Sequence, residues 1–268
     1  MILTLKNAIT IYPAGCLLII IACLLLGLIG YRYRNEVRKR ISIEKIFSAT
    51  EFNLKNLLEE KEWLLREVNH RVKNNLQVMI SLLNSQEFFL KNSEALDAIK
   101  NSQRRLHAIS LAYQKVYEPI NPAVIDMNTY ITELVDYLQD EYQKNSDIEC
   151  SLYIDKTSLP ISSAVPIGLI INEALSNSFQ YAFPATLAGK IEIKFICKKE
   201  DGSFLLSVSD NGIGFSEPFE TVEIKSLGTN LMIGLSKQLR GKFQLKNHDG
   251  VSVSVEFSNL ISENPYLA

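Results

Sequence analysis

The chain has 268 residues, 28 basic against 30 acidic side chains and 47% hydrophobic residues, enough length for about two domains. Its near-balanced charge gives no ground for a nucleic acid or other charged polymer as a general partner. Three histidines and four cysteines, with no C-x-x-C pair, supply neither a disulfide framework nor a zinc cluster.

The apolar residues are unevenly spread. No charged side chain occurs from Asn7 to Tyr31, and "CLLIIIACLLLGLIG" is almost wholly apolar. At ~1.5 Å per residue, about 20 residues cross a ~30 Å hydrocarbon core, so residues 12–31 are expected to form a transmembrane helix. Lys6 alone carries charge before the run, whereas Arg32, Arg34, Arg38, Lys39 and Arg40 follow it. A signal peptide has the opposite asymmetry. The expectation is a single-pass protein of the cell membrane, with a short outer tail at 1–11 and the remainder in the cytoplasm.

Ile41–Leu90 reads as one long helix, free of Pro and Gly. Asn92 and Ser93 offer an N-cap to a second helix, roughly Glu94–Tyr117, and "EPINP" then punctuates the chain. Leu65, Val68, Val72, Leu76, Met79 and Leu83 make an apolar stripe at helical spacing. His70 lies roughly 155° from the centre of that stripe, with Glu67, Asn74 and Gln77 on the same outer face. An exposed histidine on an amphipathic helix is ordinarily mere surface. A neutral imidazole is nevertheless a good nucleophile near neutral pH.

Beyond "EPINP" the periods mix. Asp126–Lys144 is helical, "DIECSLYID" alternates as a strand, and Pro166 at an N1 position opens a helix through Tyr181. "GKIEIKFICKK" and "SFLLSVSD" alternate around the hairpin signal "KEDGS". "SLGTNLMIGLSKQLRG" is a helix ending at Gly241, and "KFQLKNHDGVSVSVEF" closes with a hairpin. This interleaving predicts an α+β sandwich, a mixed sheet covered by helices, rather than a doubly wound parallel sheet.

Three stretches of this second region carry chemistry. In "INEALSNSFQYAF", Glu173 and Asn177 share a helix face, and an amide oxygen there suits Mg²⁺. In "SVSDNGIGF", a strand delivers Asp210 to a loop with Gly212 and Gly214, a carboxylate acceptor beside backbone that can approach a base closely. In "KSLGTNLMIGL", glycine at a helix mouth exposes N–H groups for phosphate, preceded by a polar segment, 216–225, of lid length. Each alone has a bland alternative: a solvated pair, a common N-G turn, a capped helix start.

In this order the three stretches resemble the GHKL-type ATP-binding domain shared by histidine kinases with chaperone and DNA-repair ATPases. "LLREVNHRVKNNLQVMISLL" resembles the phosphoacceptor box of sensor histidine kinases of the H-R-x-K-N branch. The resemblance covers roughly residues 60–260. It implies a linker helix at 32–62, a dimerisation and phosphotransfer hairpin at 63–120, an ATP-binding domain at 121–260 and a C-terminal tail at 261–268. It further implies ATP and Mg²⁺, a homodimer and the receiver domain of a response regulator as partner. His70 would be the phosphoacceptor, with Glu67 or Asn74 orienting it where many relatives carry an acid after the histidine and this chain has Arg71. Asn177 would hold Mg²⁺, with Glu173 a further acid contacting it through water. Asp210 would meet adenine, with Tyr181, Gly212, Gly214, Lys225, Ser226 and Gly228 shaping the nucleotide site. Gln180 stands where Lys or Arg commonly meets phosphate, and Thr229 and Asn230 replace commoner residues. Those departures motivate the alternative of a nucleotide-binding scaffold without kinase activity. His107 and His248 read as ordinary.

Overall fold

A computed structural model of the chain describes residues 2–116, 124–142, 148–184, 189–198, 202–215 and 227–258, with side chains from Ile19 onward. Met1–Leu64 and Leu65–Ala268 form two compact units. Helix α1 runs Ile2–Glu87, so the helix expected from Ile41 is part of a longer one.

The transmembrane expectation is overturned. Among the described residues no helix is long and apolar enough to cross a membrane. Within the residues whose side chains are described, the uncharged part of this helix begins at Ile19 and gives way to Arg32 and Arg34 after Tyr31. The span placed at 12–31, the membrane as a partner and the single-pass cell-membrane localisation therefore do not stand. Residue 1 and the side chains of 2–18, on which part of that expectation fell, lie outside the described residues.

Within the second unit, α1 turns back through residues 88–92 into α2, Ser93–Lys115. Asn92 is the expected N-cap. Its Oδ1 accepts from the Glu94 and Ala95 amides at 2.8 and 3.2 Å, satisfying donors that a helix start leaves free. Gln103 Nε2 donates to Asn84 Oδ1 at 2.8 Å across the hairpin. Of the predicted stripe, Leu76 is buried, Val72 and Leu83 are half-buried, and Leu65, Val68 and Met79 stay exposed. The "EPINP" boundary lies outside the described residues.

The remaining elements are β1 (Val124–Asp126), α3 (Met127–Tyr142), β2 (Ile148–Ile154), β3 (Ser158–Pro160), α4 (Ile161–Asn177), a π-helical turn (Ser178–Ala182), β4 (Gly189–Cys197), β5 (Phe204–Asp210), α5 (Leu227–Gln238), β6 (Lys242–Asn247) and β7 (Val251–Phe257). The main sheet has order β2-β4-β5-β7-β6. Only β2 and β4 are parallel; β4–β5, β5–β7 and β6–β7 are antiparallel. Mixed sheet and covering helices match the α+β sandwich expected.

Alternation explains the core. Ile191, Ile193 and Phe195 of β4, Phe204, Leu206 and Val208 of β5, and Val253, Val255 and Phe257 of β7 occupy every second position and are buried, as a pleated strand requires. They pack in one cluster with residues of α3 and α4, each fully buried aliphatic side chain contributing about 1.5–3 kcal/mol. Ala108, Leu111 and Ala112 of α2 belong to the same cluster. Gly168 lets α4 approach α3, since a Cβ there would sit 1.7 Å from the Tyr130 hydroxyl oxygen. That hydroxyl donates to the Ala108 carbonyl at 3.1 Å.

Two helix ends differ from expectation. Pro166 lies inside α4, not at its start. The helix begins at Ile161, because the carbonyl of residue 162 can forgo the N–H that proline lacks while the surrounding apolar residues are buried on the sheet. After α5, Arg240 adopts φ 53. The Arg240 amide donates to Lys237 O and the Gly241 amide to Ser236 O, a Schellman ending with arginine where glycine is usual.

Candidate active site

β5 aims Asp210 inward. It follows Phe204, Leu206 and Val208 on the core-facing parity, and it is 9% exposed. Its Oδ2 accepts from Ser178 Oγ at 2.7 Å. Its Oδ1 accepts from the amides of Gly212 at 3.0 Å and Val251 at 3.1 Å. Three donors fix the carboxylate at the mouth of a cavity of about 470 Å³, lined among others by Asn177, Tyr181, Asp210, Gly214, Thr229 and Met232. Val208, Leu245, Val251 and Val253 supply apolar walls. An apolar slot with one oriented carboxylate is suited to a flat, amine-bearing ring.

The glycines have specific duties. The chain leaves α4 through the π-turn, whose last carbonyl, Ala182 O, accepts from the Ile213 amide at 3.0 Å. A Cβ on Gly212 would lie 2.4 Å from that oxygen, so only glycine lets the loop close on the turn. Gly214 lines the cavity with φ +67, a conformation glycine adopts without penalty. Gly228 is buried at the start of α5. Lys225, Ser226 and the expected lid at 216–225 lie outside the described residues.

Glu173 and Asn177 are both on α4, yet they are differently engaged. The Asn177 side chain reaches the cavity and has no hydrogen bond to any described residue. Glu173 does not line the cavity. Arg105 of α2 grips both its oxygens, Nε to Oε1 at 2.7 Å and Nη2 to Oε2 at 2.8 Å, and Asn172 Nδ2 adds a bond at 3.1 Å. The hydrogen bond to Glu173 raises the Arg105 pKa against the effect of burial. Gln180 is exposed and donates to the Tyr142 hydroxyl at 3.1 Å, outside the cavity lining.

On the hairpin, His70 is exposed. Its Nδ1 lies 3.2 Å from Asn74 Nδ2, one helical turn away. Glu67, the other residue expected to orient it, is instead paired with Arg71 at 2.6 Å. His107 is half-buried and stacked on Tyr137 with ring centroids 3.7 Å apart. His248 stays at the surface beside Asp249.

Two family models match this arrangement. Residues 67–142 match the family described as "Histidine kinase", and residues 163–260 match "Histidine kinase-, DNA gyrase B-, and HSP90-like ATPase". The chain belongs to the histidine kinases. This kinase is 27% identical over 192 residues to the sensor histidine kinase PdtaS of Mycobacterium tuberculosis, covering 71% of its own length and 38% of that protein. It is 22% identical over 200 residues to blue-light-activated histidine kinase 2 of Erythrobacter litoralis, covering 72% of its own length and 56% of that protein. Thus it spans roughly a third to a half of these curated relatives. The histidine kinase domain of an Erythrobacter litoralis blue-light-activated kinase shares its fold, with TM-score 0.56 and 22% identity over 73% of this chain and 90% of that one. The family matches carry the two parts of an ATP-dependent histidine kinase; the H-R-x-K-N branch remains a resemblance.

The kinase's donor set fits Mg²⁺ in one respect. Asn177 offers an amide oxygen uncommitted among the described residues, a hard ligand of the kind Mg²⁺ takes alongside water and phosphate oxygens, while Glu173 has both oxygens occupied. Sequence reasoning missed Ser178, Arg105 and the apolar walls. Val208 was findable, two residues before Asp210 on the same strand face. Arg105 carried no signal, since its partner lies 68 residues away.

Proposed function

We propose that this histidine kinase binds ATP in the Asp210 cavity, transfers the γ-phosphoryl group to His70, and passes it to an aspartate of a response regulator. The observation that carries the reading is the cavity itself, which brings together a triply held carboxylate, an Asn177 amide without a hydrogen bond among the described residues, and apolar walls. Asp210 accepts from the exocyclic amine of adenine, and Val208 and Met232 flank the ring. Asn177 would hold Mg²⁺, whose charge would offset that of the phosphates. The likeness to named sensor kinases supports a homodimer and a receiver-domain partner.

At the acceptor, Nε2 of His70 attacks phosphorus as the bond to the bridging oxygen breaks and ADP leaves. For Nε2 to present its lone pair, Nδ1 must carry the proton. The Nδ1–H then donates a hydrogen bond to Asn74 Oδ1, the amide orientation that occupies the same volume.

A non-catalytic scaffold is the second reading. It is favoured by the absence of lysine and arginine from the cavity lining among the described residues. Incubation of the full chain with γ-labelled ATP and Mg²⁺ separates the two. Acid-labile, base-stable label on the wild type, absent from His70→Ala and Asn177→Ala, is the expected result. Retained nucleotide binding without label establishes the scaffold.

A further inference from the structure

Beside His70, α1 and α2 enclose a groove of about 190 Å³ lined by Asn69, His70, Lys73, Tyr113 and Gln114. Its polar groups are donors in excess. Lys73 is half-buried and makes no ion pair or hydrogen bond with any described residue. The half-buried Tyr113 also has no hydrogen-bond partner among them. Gln114 Nε2 donates only to Ser110 Oγ of its own helix at 3.3 Å, which leaves its second amide proton unused. No carboxylate lines the groove, and the nearest in sequence, Glu67, is taken by Arg71.

We propose that Lys73, Tyr113 and Gln114 form a cradle for the oxygens of a phosphoryl group carried on His70. This rests on His70 being the phosphoacceptor and adds the residues that bind the product. His70 Nδ1 is engaged by Asn74, so the phosphoryl group sits on Nε2. An ammonium, a phenol and an amide then satisfy its anionic oxygens with charge-assisted hydrogen bonds. Before phosphorylation the Lys73 ammonium and the Tyr113 phenol have no acceptor among the described residues, and afterwards they have one. The phosphorylated hairpin is therefore more firmly closed than the free one.

Phosphoramidate tests this without ATP. The imidazole nitrogen forms a bond to phosphorus as the phosphorus–nitrogen bond of phosphoramidate breaks and ammonia leaves. Mass spectrometry verifies loading at His70, and His70→Ala treated in the same way gives the baseline. Loading should raise the wild-type Tm by about 2–4 °C, since the covalently held group meets these donors only in the folded state. Unloaded Lys73→Met and Tyr113→Phe should melt as the wild type does, and each should lose most of the rise on loading. A rise of equal size in both variants, or no rise in a wild type loaded at His70, overturns the cradle. Loading at exposed His248 but not at His70 overturns it too. A chain that gains stability from phosphoramidate yet takes no label from ATP retains the cradle and loses the kinase reading instead.

Discussion

Asn74 stands one turn from His70, with its Nδ2 3.2 Å from the His70 Nδ1. Removing it leaves the ring free to rotate and the tautomer unselected. Asn74→Leu should cut the initial rate of His70 labelling on the order of 100-fold while leaving nucleotide affinity unchanged, read by labelling alongside titration with a fluorescent nucleotide. His107 carries a pH dependence. Burial lowers its pKa from the ordinary 6.5, opposed by the charge of Glu141, while Tyr137 stacks on the ring and Arg104 lies near that tyrosine. Because the folded pKa is depressed, the unfolded chain takes up the proton first. The stability is complete above about pH 6.5 and is lost as pH falls below it. Between about pH 7.5 and about pH 5.5 the Tm should fall, and His107→Gln should fall less; thermal melts of both proteins check it.

Helix α2 is shared at the level of elements. Its N-terminal half ties to α1 through Gln103–Asn84, while Ala108 and Ala112 are fully buried with α3 and α4. Arg105–Glu173 bolts α2 to the helix that carries Asn177. Glu173 is 8% exposed, so removing its partner leaves a charge with little access to water. Arg105→Met should cost about 3–5 kcal/mol. Arg105→Met combined with Glu173→Leu should recover most of it, because an apolar pair replaces a buried ionic one at small net cost. Urea denaturation of the single and double variants measures both. Recovery absent from the double variant would mean that Arg105 acts through packing of its stem rather than through its charge.

At the scale of the whole molecule, an apolar surface on α1 is left uncovered by the described residues. Leu65, Val68, Val78, Met79 and Leu82 on α1 are each about half exposed or more. Contiguous apolar surface of this kind marks an interface, and the helical spacing suits a second hairpin packing side by side into a four-helix bundle. The full chain should sediment as a dimer at micromolar concentration. Met79→Lys with Leu82→Lys should shift it to monomer and leave the circular dichroism unchanged. A wild-type monomer under these conditions would show that the surface is covered by something other than a second copy.

The elements and most of the candidate site were legible because they are written in short-range patterns. Strand alternation carried Asp210 to the loop that bears Gly212 and Gly214, Asn92 announced the start of α2, and the spacing of Glu173 and Asn177 put them on one helix. The helix wheel turned His70 outward without any tertiary information. What the sequence could not say was which of these groups are free. Glu173 and Asn177 look equivalent along the helix, yet a guanidinium from 68 residues away takes one and leaves the other open to the cavity. Glu67 and Asn74 flank His70 alike, yet Glu67 pairs with Arg71 one turn further along the same helix. Pro166 read locally as a helix start, but burial of α4 on the sheet outweighs the single hydrogen bond it removes. The apolar N-terminal run likewise suggested a span, but among the described residues no helix is long and apolar enough to cross a membrane. Local periodicity fixes which face a side chain occupies; only the folded chain decides what meets it there.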